Sequence, residues 1–122
     1  MSIRMLLSRP LAHACLIYFI LINNVAATFY QSDTMALYCK EYIKYLNIEK
    51  TVKDYEAGVC SGFVASTIEL MNLSERLCKR DKLNMDSVVQ QFIQEVDTNE
   101  AAKNNSATYV LVDVLQQHYA CE

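Results

Sequence analysis

The 122-residue sequence has only two glycines, one proline and no tryptophan. So few turn-forming residues exclude a collagen-like chain or a proline-rich linker, and argue against a turn-dense β-sandwich. Histidine is nearly as scarce, with His13 and His118 alone. An excess of positive charge is missing too: 11 Lys and Arg stand against 14 Asp and Glu, a net charge of −3. A nucleic-acid binder would normally carry a basic stripe, so no nucleic-acid partner is expected. What the chain does contain is apolar side chains, 52% against 20% charged, which excludes a disordered polymer. It also has five cysteines, a high number for so short a chain.

The cysteines make sense once residues 1–27 are read as an export signal. Arg4 and Arg9 form a positive leading region, Leu11 to Ile22 is an apolar stretch broken only by His13, and Val25-Ala26-Ala27 offers small residues for a signal peptidase. The apolar stretch is short of the ~20 residues a membrane span needs. An uncleaved anchor is the competing reading. Cys15 precedes most of the apolar stretch and has His13 beside it, which speaks against a lipoprotein motif.

Cleavage after Ala27 leaves a domain at 28–122, with nine basic and fourteen acidic residues and a net charge of −5. It holds Cys39, Cys60, Cys78 and Cys121 and has no membrane segment of its own. An even cysteine count in a short exported chain reads as two disulfides in an oxidising space, here a periplasm or an extracellular fluid. Asn72-Leu73-Ser74 and Asn104-Asn105-Ser106 match the glycosylation sequon, a short pattern that is silent in a bacterium without that pathway.

Apolar spacing of three and four predicts four amphipathic helices and no strand. The first starts at Ser32 or Asp33 and runs to about Leu46, with Met35, Tyr38, Cys39, Tyr42, Ile43 and Leu46 on its inner face. Asp54 caps the second, about Tyr55 to Met71, with Cys60, Phe63, Val64 and Thr67 inward. Asn84 or Asp86 caps the third, which buries Val88, Val89, Phe92, Ile93 and Val96. Ser106 caps the fourth, with Val110, Leu111, Val114, Leu115 and His118 on one side. Polar connections at 47–53, 72–83 and 97–105 join them, and the expected fold is a compact all-α bundle stapled by two disulfides.

In an antiparallel pairing of the first two helices, Cys39 and Cys60 face each other, which favours Cys39–Cys60 with Cys78–Cys121. Cys60–Cys78 is least favoured, because one helix separates the two residues along most of its length. Gly58, Gly62 and Ser66 recur every four residues, a spacing that reads as a close approach of the second helix to the first.

No catalytic constellation emerges. His118 is the only histidine after Ala27, and the motifs of zinc proteases, P-loops and dinucleotide sites are absent. Four cysteines and a histidine could bind zinc in a reducing compartment, but an exported chain pairs them instead. Glu95 and Asp97 read as solvated surface, and the cluster Arg76, Lys79, Arg80 and Lys82 is interrupted by Glu75 and Asp81. The expectation is a binding protein with no cofactor, no metal and no enzymatic activity.

The stretch Cys60-Ser61-Gly62-Phe63-Val64-Ala65, the third cysteine at Cys78, and the near-terminal Tyr119-Ala120-Cys121 resemble the Rap/Tai family of immunity proteins. The resemblance runs from about Met35 to Cys121. It implies a periplasmic homodimer that occludes a papain-like peptidoglycan amidase delivered by type VI secretion, protecting the producing cell. A small helical acid-stress chaperone of the periplasm is the alternative. An inhibitor of a cleft enzyme must protrude, and the third connection has no cysteine and many hydrogen-bonding side chains. Asn99, Glu100 and Asn104 are therefore the expected partner contacts.

Overall fold

The computed structural model describes residues 30–121; the expected signal at 1–27 lies outside them. Helix α1 spans Ser32–Leu46, α2 Asp54–Leu73, α3 Met85–Thr98, α4 Glu100–Lys103 and α5 Ala107–Tyr119, with a 3₁₀ turn at Arg80–Lys82. Among the described residues, extended pairing is confined to two isolated bridges, Gln31 with Ser106 and Leu77 with Ala120. The fold is an all-α bundle with two disulfides, as the periodicity predicts.

Helices α1 and α2 form an antiparallel hairpin. α3 packs on α1, and α5 closes the bundle against α3, α2 and α1. Phe92 and Met35, each fully buried, meet Val64, Leu111 and Leu115 in one continuous core. Leu77 enters this core from the connection after α2.

Helix starts show which polar residues the fold uses as caps. Asn84 caps α3, its side-chain oxygen accepting from the amides of Asp86 (2.8 Å) and Ser87 (3.3 Å). Ser32 does not cap α1. It is buried in the first turn, and its amide and hydroxyl both donate to the Asn105 carbonyl, at 3.0 and 2.9 Å. Lys53, not Asp54, holds the cap position of α2, and Ser106 precedes α5 without a side-chain cap bond.

The connection expected at 97–105 is largely helical. α3 continues through Thr98, and Asn99 then caps α4 by accepting from the amides of Ala101 and Ala102. Two alanines, strong helix formers, follow the cap, and Ala102 is buried.

Three inward placements need correction. Leu46, the last residue of α1, is exposed rather than inward. The close approach expected at Gly58 and Gly62 is absent: a Cβ built on either would meet no atom within 4 Å, and both are exposed. Cys60 faces α1, and a residue two positions away on a helix is turned by about 200°, hence outward. His118 is exposed as well, and Tyr119 takes the inward position, its hydroxyl donating to Gln91 Oε1 at 3.3 Å.

Candidate partner-binding surface

The disulfides set the frame. Cys39 and Cys60 are both fully buried and join α1 to α2. Cys78 and Cys121, both exposed, join the connection after α2 to the end of the described chain. There the backbone reinforces the link, because the Cys78 amide donates to the Tyr119 carbonyl at 3.1 Å and Leu77 pairs with Ala120. In the chain-entropy model, bridges over 21 and 43 residues stabilise by about 3 and about 4 kcal/mol. Among the described residues no three His, Cys, Asp or Glu side chains come together as metal ligands.

Asn99, Glu100 and Asn104 do come together, on the exposed side of α4. Their polar groups serve the turn itself. Asn99 caps α4 with its oxygen and donates from Nδ2 to Glu95 Oε1 at 2.7 Å. Asn104 donates to the Glu100 carbonyl and to Glu100 Oε1, at 3.0 and 3.2 Å. Beside them Lys40 reaches from α1 to Asp97 at 2.9 Å, half-exposed on both sides and so worth at most ~1 kcal/mol. Leu37, exposed on α1, shares a hollow with Lys40, Glu100 and Lys103.

The opposite end of α1 is built differently. After Leu46, Asn47 takes the cap position and Ile48 adopts a left-handed backbone with φ 55°. The Ile48 amide donates to the Tyr45 carbonyl and the Glu49 amide to the Lys44 carbonyl, both at 3.1 Å. This is a Schellman ending, in which the left-handed residue is usually glycine. Here it is a β-branched residue with 88% of its surface exposed. Tyr45 and Tyr55 flank the turn at 60% and 74% exposure.

The base of this turn is held by a carboxylate. Glu41, mostly buried on α1, accepts from Lys44 Nζ at 2.6 Å and from the Lys53 amide at 3.1 Å. The Lys44 hydrogen bond first, and the Lys53 amide second, hold its carboxyl below the usual carboxylate range. Lys44 is pushed up by the same bond. Further along α1, burial and then a 2.9 Å bond to Asp86 raise the Tyr42 hydroxyl.

Sequence reasoning did not single out this turn. The signal available was a missing one: a helix that stops at Leu46 with no glycine after it.

The family model described as Rap1a immunity proteins matches residues 26–121. No curated protein and no solved structure matches the chain.

Proposed function

The chain belongs to the Rap1a immunity protein family, and from that premise we propose that it neutralises a peptidoglycan amidase delivered by type VI secretion. An immunity protein binds a cognate effector, and this family is generally non-enzymatic. The observation that carries the reading is the family match over residues 26–121, which takes in all of the described bundle. The two disulfides support it, since they belong to an oxidising space and stiffen a surface that must bind without reordering. Among the described residues no helix is long and apolar enough to cross a membrane.

The finer reading has four parts. Residues 1–27 act as a signal peptide and the domain works in the periplasm. The effector is a Cys-His amidase whose cleft the inhibitor occludes. Two copies of the chain act together as a homodimer. Asn99, Glu100 and Asn104 touch the effector from the α4 turn. The acidic balance of the domain steers encounter with a basic enzyme.

The test is to express the full chain with the product of the neighbouring gene, which this reading predicts to be a small Cys-His amidase. The two should co-purify, and peptidoglycan hydrolysis should stop near equimolar inhibitor. Unimpeded hydrolysis would sink the reading, and weak binding to many unfolded proteins would favour a chaperone instead. Replacing Asn99, Glu100 and Asn104 by Ala should weaken inhibition tenfold or more. Each variant needs a thermal melt alongside, because Asn99 also caps α4.

A further inference from the structure

We propose that Ile48, at the turn between α1 and α2, is the apolar anchor by which this chain docks into a concave pocket of its effector. This rests on the immunity reading above and adds to the α4 turn a second contact, at the other end of α1.

The fold gives no reason for isoleucine at this position. The Schellman hydrogen bonds require a left-handed backbone, which glycine adopts at no steric cost and which a β-branched residue adopts least readily. The side chain obtains no burial in return, being 88% exposed. Neither of the chain's two glycines is used here; both lie on the open face of α2. Residues that violate local backbone preference cluster where a surface is used for something other than folding.

The surroundings specify the occupant. Tyr45 lines a shallow hollow with Ile48, and aromatic residues are enriched among interface anchors. The nearby lysines are already paired, Lys44 with Glu41 and Lys53 with Glu56, and Glu49 and Lys50 beside the tip are of opposite sign. A tip with its charges balanced in this way fits a neutral, apolar pocket rather than a charged groove. The turn is also preformed. Two backbone bonds set the left-handed residue, Glu41 holds the Lys53 amide, and the Cys39–Cys60 bridge lies below. A protruding apolar side chain on a rigid base suits a cleft-bearing partner, because little freedom is lost on insertion.

The experiment measures binding of the purified amidase encoded beside the gene, by calorimetry, to wild type, Ile48→Gly and Ile48→Asn. Both replacements accept a left-handed backbone, so both should fold, and Ile48→Gly should melt at a higher temperature than wild type. The expected result is a Kd weakened at least thirtyfold for both, about 2 kcal/mol. Unchanged Kd in the more stable Ile48→Gly variant would overturn the anchor while leaving the immunity reading in place. A wild-type chain that does not bind the amidase would overturn that reading and the anchor with it. A wild-type dimer that becomes monomeric in Ile48→Gly would assign the tip to a contact between copies and overturn docking on the effector.

Discussion

Replacing Gly62 by alanine should make the protein more stable. Gly62 lies in the interior of α2, well inside Asp54–Leu73, where glycine costs ~0.8–1 kcal/mol relative to alanine. The added methyl group meets no atom within 4 Å, so no packing strain subtracts from the gain. The expected change is thus a stabilisation of about 1 kcal/mol. For a domain of this size that is roughly 4–8 °C in Tm. It also shifts the urea midpoint by about 0.5–1 M, for an m value of about 1–2 kcal/mol/M. Gly58→Ala should act similarly, since its site is equally open. Gly62→Leu is the sharper control, because leucine is also a strong helix former and would be rejected only by a covered site. Equilibrium urea unfolding followed by circular dichroism measures all three. If Gly62→Leu lost more than ~1 kcal/mol, this face of α2 would be covered in the folded protein and the argument from open space would fail.

Glu41→Gln should destabilise the protein at neutral pH and do so less as the medium is acidified. The folded carboxyl titrates below its ordinary value, so its stabilising contribution is present above the unfolded pKa of ~4.3 and is lost as pH falls through the lower folded value. Urea midpoints of wild type and Glu41→Gln should therefore draw together as the pH falls below the unfolded pKa, and a gap that stays constant would refute the assignment. The two disulfides should differ in reducibility: mild reductant under native conditions, with alkylation and mass spectrometry, should open the exposed Cys78–Cys121 bridge well before the buried Cys39–Cys60 bridge. Simultaneous loss of both would mean that reduction proceeds through global unfolding.

Much of this fold was legible because apolar spacing is a direct record of which helix face is buried. Met35 and Cys39, Cys60 and Val64, Val88 and Phe92, and Leu111 and Leu115 each lie four positions apart, and all are in the core. The disulfide pairing followed from the same geometry, since an antiparallel hairpin brings Cys39 and Cys60 together. Legibility failed where a short feature had to be weighed against its neighbours. Asp97 to Asn105 reads as a loop by polarity, yet Asn99 followed by Glu-Ala-Ala-Lys is a cap and a helical turn. His118 and Tyr119 both continue the apolar spacing of α5, and the larger ring with a hydroxyl partner at Gln91 goes inside. The connection at 47–53 was legible, but its left-handed ending at Ile48 was not, because the rules for helix ends predict glycine there.

That turn and the open face of α2 share a physical logic. Two left-handed positions close α1 and α2, Ile48 at φ 55° and Glu75 at φ 56°, and neither is glycine. Both glycines lie instead in the interior of α2, where they weaken it. Exchanging the residue types would suit the fold better at all four places. The two glycines cost about 2 kcal/mol together, and two non-glycine left-handed residues about 2–4 kcal/mol more. The disulfides offset this with about 7 kcal/mol in the entropy model, so the chain stays folded with residues that its own backbone does not favour. Glu75 is itself polar, and the exposed apolar surface beside it belongs to the helical residues Leu70 and Leu73, not to the left-handed position. At the α1–α2 turn the left-handed residue is itself the protruding apolar side chain, with the exposed Tyr45 beside it, which are the parts that a protein made to bind another protein would keep.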